Sequence, residues 1–231
     1  MTQNEYDTLS RDLRKIAVEI PIRWGKVQNN VYDNELKRIC NIFSIMSLNE
    51  LLPYISLFDE EHQMYYKRRW YLLRCADCDE YLFYKNDNVE HNPNRFDKKW
   101  DIKIDNCFQF DVKCTVIPRD FRDRWEDVVK NPQQIIDFYY EKQSRGVRYD
   151  MQNRLFIVHH SIVNVDREFL LRCAWRTKES VYRIFVNNIN NITFSRYNDC
   201  YAAVIFIVET ERNKLQYKIS GYNTQLCSLN L

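Results

Sequence analysis

Apolar residues along this chain recur at two different spacings, and the change between them falls near residue 80. Upstream the spacing is helical. "DTLSRDLRKIAVEI" (7–20) predicts a helix closed by Pro21, and "NELKRICNIFSIM" (34–46) sets Leu36, Ile39, Ile42, Phe43 and Met46 along one stripe. "SLNE" (47–50) has the form of a capping box, starting a helix that Pro53 cuts short. "DEEHQMYYKRRWYLLRC" (59–75) predicts a longer helix, acidic at its start and basic in its middle.

Downstream the pattern becomes strand-like. "EYLFY" (80–84) reads as an aromatic strand, followed by a polar loop, "KNDNVEHNPNRFDKK". "NPQQIIDFYYEKQSRG" (131–146) predicts a helix with Asn131 as N-cap, Pro132 as first residue and Gly146 as stop. "RLFIVHHSIV" (154–163) is an apolar strand, and a mostly helical stretch runs through "TKESVYRIFVNNI" (177–189). "YAAVIFIVE" (201–209) has the unbroken apolar run of a strand buried on both faces, whereas "KLQYKIS" (214–220) alternates like one covered on a single face. This order predicts an α/β fold, a mixed central sheet flanked by helices behind a helical N-terminal segment. With no repeats or linker-like tracts, a single domain over 1–231 is expected: a helical extension (1–58), a central region (59–165), and a C-terminal helix and strands (166–231).

The segment "KKWDIKIDNCFQFDVKCTVIP" (98–118) carries the chemistry. A two-residue turn at Asp105-Asn106 would mix apolar and polar residues on each face of the hairpin. A three-residue loop, Asp105-Asn106-Cys107, pairs Ile104 with Phe108, Ile102 with Phe110 and Trp100 with Val112, making one face wholly apolar. The other face then sets Lys103 against Gln109, Lys99 against Lys113, and Asp101 against Asp111. Like charges opposed at roughly 5 Å repel. A divalent cation relieves that repulsion, and two carboxylates with the carbonyl between Asp111 and Lys113 suit Mg²⁺ (or Mn²⁺), which retains several waters. Lys113, one side-chain repeat past Asp111, is placed to stabilise a nucleophile or charge developing on phosphorus.

Asp101, a turn, then Asp111-Val112-Lys113 in an apolar strand resembles the PD-(D/E)XK nuclease superfamily, the restriction-endonuclease-like fold. The resemblance covers roughly residues 60 to 165, and includes the helix (131–146) and strand (154–163) after the hairpin. Trp100 stands where the family often has proline. The resemblance implies a Mg²⁺-dependent DNA endonuclease of the type II restriction-enzyme class, hydrolysing phosphodiesters with a metal-activated water. It implies catalytic roles for Asp101, Asp111 and Lys113, the two aspartates as metal ligands, with Glu61 completing the site (Glu60 and Glu80 being alternatives) and Gln143 assisting. It also implies DNA as partner and a homodimer for cutting both strands.

Charge and composition refine this picture. The net charge of +2 leaves any nucleic-acid contact to local clusters. Those clusters are "YYKRRW", "PRDFRDRW" and "KQSRGVR", which nominate Lys67, Arg68, Arg69, Arg119, Arg122, Arg145 and Arg148 as phosphate contacts. Only 3 glycines are present and no Gly-rich phosphate loop is found. The N-terminus lacks a signal-peptide core and no window reaches transmembrane length, so a cytoplasmic protein without membrane contact is expected. Its 8 cysteines then read as thiols. "CADC" (75–78) alone has zinc-ligand spacing, leaving a zinc-bearing interaction module on Cys75 and Cys78 as a minor reading. His159 and His160 are expected on opposite faces of their strand, one buried and one exposed. "FYYEKQ" (138–143) is core at helical spacing, or a stacking surface for bases. The alternative function is a non-catalytic nucleic-acid-binding or protein-interaction α/β module, in which the hairpin is scaffold.

Overall fold

A capping box displaces the first helix from its expected start. Thr2 Oγ1 accepts the Glu5 N–H (3.3 Å) and the Glu5 carboxylate accepts the Thr2 N–H (2.6 Å), so α1 (Gln3–Ile16) begins ahead of Asp7. Its buried stripe is Tyr6, Leu9, Leu13 and Ile16. The computed structural model describes residues 1–20, 30–94, 97, 99–143 and 152–229, which leaves Pro21 and Gly146, both expected helix stops, outside it. These residues form two compact units, Met1–Tyr81 and Leu82–Leu231.

In the first unit, Asn30 caps α2 (Val31–Ile39) by accepting the N–H groups of Tyr32 and Asp33. The stripe expected to reach Met46 stops early. Cys40 is extended, and Asn41 starts a separate turn by accepting the Phe43 N–H (3.1 Å). An asparagine side chain that captures backbone donors competes with helix continuation, and Ile39 and Phe43 are left 37% and 44% exposed. Ser47 caps α3 (Leu48–Ile55) as its sequence predicts, but Glu50 turns to the Met46 N–H (2.8 Å), so the box closes on one side only. Pro53 is carried inside this helix, which ends two residues later.

Helix α4 (Glu60–Tyr84) corrects the reading of "EYLFY" as a strand. Asp59 caps it by accepting the His62 N–H (3.0 Å). Tyr81, Leu82 and Phe83 are buried at its end, and burial overrides the aromatic preference for strands.

The second unit is built on one sheet. Within the segment expected to be loop, β1 (Val89–His91) forms a short edge strand antiparallel to β2 (Ile102–Ile104), which pairs antiparallel with β3 (Phe108–Val116). A 3-10 turn (Arg119–Arg124) leads into α5 (Trp125–Lys130) and α6 (Gln133–Gln143). Asn131 closes α5 rather than capping α6, its N–H bonded to Asp127 O (2.7 Å), and the Pro132 carbonyl accepts the Ile136 N–H (3.1 Å). Strand β4 (Arg154–Ser161) returns parallel to β3. Then follow α7 (Glu168–Arg172), α8 (Trp175–Asn187), β5 (Ser195–Tyr197), β6 (Cys200–Glu211), β7 (Lys214–Ile219) and β8 (Cys227–Ser228).

Among the described residues the strands form one mixed, open, eight-stranded sheet in the order β1-β2-β3-β4-β6-β7-β8, with β5 on β6. The protein is therefore α/β. Strands β3, β4 and β6 are mutually parallel, and such a centre needs cover on both faces. On one face Ile117, Val128, Ile135, Ile136 and Tyr139 pack over Phe156, Val158, Val204 and Phe206. On the other, α8 buries Val181, Tyr182 and Phe185, with Phe185 meeting Phe110 and Tyr182 stacked on Phe83 at 4.0 Å. This double cover buries His159 and His160 together, correcting the expectation that one would be exposed. No described helix is long and apolar enough to cross a membrane.

Candidate active site

The hairpin takes the register selected by its hydrophobic pattern: Ile104 faces Phe108, Lys103 faces Gln109 and Ile102 faces Phe110. Two loop residues, Asp105 (φ 50°) and Asn106 (φ 56°), adopt left-handed backbone. Such a conformation costs little for Asp and Asn, and side-chain amides brace it. Asn88 Nδ2 donates to Asp105 Oδ1 (2.7 Å) and Asn190 Nδ2 to Asp105 Oδ2 (3.2 Å).

Beyond Ile102 the ladder changes. The Asp101 N–H donates to Phe110 O (2.8 Å), and the Asp101 carboxylate accepts the Val112 N–H (2.7 Å). Asp101 thus supplies the next rung with its side chain instead of pairing residue-for-residue with Asp111. From the other side Asn92, buried, donates its N–H to Asp101 O (3.0 Å) and its Nδ2 to Trp100 O (2.9 Å), clamping the entry to β2. The first acid is held by backbone on both sides, one residue from the second.

Asp111 is buried in the middle of β3's entry, its N–H bonded to Asn153 O (2.9 Å). Lys113 lies two residues on, on the same face. Its Nζ donates to Asp111 Oδ1 and sits 3.4 Å from Val112 O. Parallel pairing places Arg154 beside Asp111, and Arg154 Nε lies 3.5 Å from Asp111 Oδ2. The guanidinium stacks over Tyr140 at 4.8 Å, and Tyr140 in turn stacks on Tyr197 at 4.6 Å with the rings 4° from parallel. Burial pushes the Tyr140 phenol well up, with Arg154 opposing, and its hydroxyl donates to Gln152 O (2.7 Å). Arg154 was not among the residues nominated from sequence. It opens an apolar strand, and only the parallel register brings it to Asp111.

The donor chemistry fits a small hard cation. Among the described residues no three or more His, Cys, Asp and Glu side chains are grouped to hold a metal. Mg²⁺, however, needs few protein oxygens. The Lys113 ammonium contacts Asp111 Oδ1 and Val112 O, two of the oxygens expected to receive the cation, so a positive charge already sits at that point.

The remaining candidates divide. Glu61 is an exposed residue in the first turn of α4, within the first unit. Lys67 pairs with Glu19 (3.2 Å) and Arg69 with Asp33 (3.0 Å), both inside that unit, and Arg68 is half-buried. Arg119 is exposed, but Arg122 makes a bidentate pair with Glu168 (2.7 Å each), which is fully buried. That arginine is committed to a buried carboxylate, and His160 Nδ1 faces the same carboxylate at 3.2 Å. Arg145 and Arg148 lie outside the described residues, as does the side chain of Gln143. Cys75 and Cys78 are buried one turn apart in α4.

On the opposite face of the sheet, His159 Nδ1 lies 3.1 Å from Thr115 O and 3.8 Å from Cys114 Sγ. Burial, reinforced by Lys178 and Arg172, holds its imidazole well below the usual pKa, so it is neutral. The Thr115 carbonyl accordingly accepts from Nδ1–H.

No family model, no curated protein and no solved structure matches the chain. The functional reading therefore rests on the geometry of its own residues.

Proposed function

We propose that this protein is a Mg²⁺- or Mn²⁺-dependent DNA endonuclease of the PD-(D/E)XK type, acting in the manner of a restriction enzyme. The observation that carries the reading is the end of the hairpin, where the Asp101 carboxylate meets the Val112 N–H between Asp111 and Lys113. The hairpin β2-β3, then helix, then β4 beside β3 follows the order that the resemblance implies, which supports a restriction-endonuclease-like sheet.

In this reading Asp101 and Asp111 hold the cation. When bound, the cation supplies an activated water and neutralises charge on the phosphate. Lys113 stabilises the nucleophile and the charge developing at phosphorus. Arg154 keeps Asp111 in place through its stack on Tyr140. Arg119 contributes a phosphate contact, DNA is the substrate, and a homodimer would cut both strands.

The test is cleavage of mixed duplex DNA with Mg²⁺ or Mn²⁺, comparing the native protein with Asp111→Asn, which keeps the side chain's shape. Metal-dependent cutting by the native protein alone supports the reading. Cutting retained by the variant overturns it. DNA binding without cutting by either protein favours the non-catalytic binding module.

A further inference from the structure

The two oxygens of Asp111 are unequally engaged. Oδ2 faces Arg154, a buried side chain fixed by its stack on Tyr140. Oδ1 faces Lys113, whose side chain is 33% exposed and whose Nζ also lies 3.4 Å from Val112 O. Arg154 has no room to leave, being planar, stacked and covered. Lys113 sits on a flexible four-carbon stem that opens to solvent.

Resting on the nuclease reading, we infer that Lys113 is an exchangeable occupant of the metal seat: its ammonium holds Asp111 Oδ1 and Val112 O until a divalent cation displaces it, while Arg154 remains on Oδ2. The exchange does two things. It keeps a buried carboxylate neutralised without metal, since a lone buried charge is strongly unfavourable. It also delivers the lysine, once released, to the solvent side of the site, where a scissile phosphate would lie. Loading the metal and arming the lysine become one event. The cost of the device is affinity, because the cation must compete with a tethered ammonium.

The prediction is a gain of metal binding on removing a residue needed for catalysis. Mn²⁺ affinity is measured by electron paramagnetic resonance on the full chain without DNA, for the native protein, Lys113→Gln and Arg154→Gln. Lys113→Gln should bind Mn²⁺ about tenfold tighter, the scale expected when one nearby competing charge is removed at a partly exposed site. Arg154→Gln should show no gain, since it removes an equal charge but also the anchor of the carboxylate. Equal gains in both variants would mean a general field effect and overturn the exchange. An unchanged or weaker Lys113→Gln would overturn it too, while native binding of Mn²⁺ would leave the metal site itself standing. If neither the native protein nor Lys113→Gln binds Mn²⁺, the nuclease reading falls along with this inference. A second measurement is independent of any variant: acetylation of Lys113, followed by mass spectrometry, should rise several-fold when Mn²⁺ is added. Constant labelling across a titration that saturates the metal signal would refute displacement.

Discussion

Replacing Glu209 by glutamine should lower the stability of the sheet-bearing unit by an amount that disappears in acid. Glu209 closes the buried run of β6 and is fully buried. Burial alone would raise its pKa. The opposing hydrogen bonds are stronger: Arg167 Nε at 2.9 and 2.8 Å, Ser161 Oγ at 2.7 Å and the Asn213 N–H at 2.9 Å. Together they bring the carboxyl from its ordinary 4.5 to about 2. One pH unit of such a difference corresponds to about 1.4 kcal/mol, so the ionised carboxylate contributes about 3 kcal/mol at neutral pH.

The sign follows from the direction of the change. A carboxyl depressed in the folded state binds fewer protons there than when unfolded, so its contribution is complete above about pH 4.5. It declines as pH falls through the window from 4.5 towards about 2. Glu209→Gln keeps the shape and one acceptor but removes the charge, and Arg167, which is 20% exposed, can be solvated in its place. Urea denaturation of both proteins at pH 7, 4.5 and 3 should show a gap of about 3 kcal/mol that narrows steadily in acid. A gap that stays constant from pH 7 to pH 3 would refute the reasoning, because the loss would then come from packing and not from charge.

Three further outcomes are expected. Gly221→Ala should cost at least about 2 kcal/mol, because φ is +71° there and a Cβ would sit 1.9 Å from Thr193 O; a melting temperature within a degree of native would contradict this. Arg122→Ala should cost about 3–5 kcal/mol by stranding the buried Glu168 carboxylate, and a loss under 1 kcal/mol in urea denaturation would contradict this. Asp101→Asn retains an acceptor for the Val112 N–H, so its melting temperature should stay close to native while metal-dependent cleavage falls by more than the roughly 10–100-fold typical of losing a residue that only supports a ligand. Parallel loss of fold and activity would make Asp101 a structural rung alone.

Sequence pattern anticipated elements best where one physical demand dominated. The β2–β3 register follows from burying Ile102, Ile104 and Phe110 together, and no one-residue slip satisfies that demand. The doubly covered β4 and β6 announce themselves as unbroken apolar runs. Misreadings arose where local and tertiary preferences competed. "EYLFY" has strand-forming residues, yet it extends α4 because its aromatic side chains are buried as a helix. The segment after Ile39 has helical spacing, yet the Asn41 side chain diverts a backbone donor. β1 is three residues long, too short for alternation to register.

The site was half legible for a related reason. Asp101, Asp111 and Lys113 belong to one hairpin, so a short-range register argument reaches all three. Arg154 belongs to a strand that arrives after two helices, and its neighbour is set by a parallel pairing that no local pattern encodes. The same limit applies to Arg122. A basic cluster in sequence suggested phosphate, but the carboxylate that claims this arginine stands 46 residues away, on α7. A basic segment can therefore commit a cation to a buried acid, as Arg122 does, while its neighbour Arg119 stays exposed. Asp111 shows both halves of this limit at once: the lysine that faces it follows from the hairpin's own alternation, while the arginine that faces it follows only from the parallel register of β4.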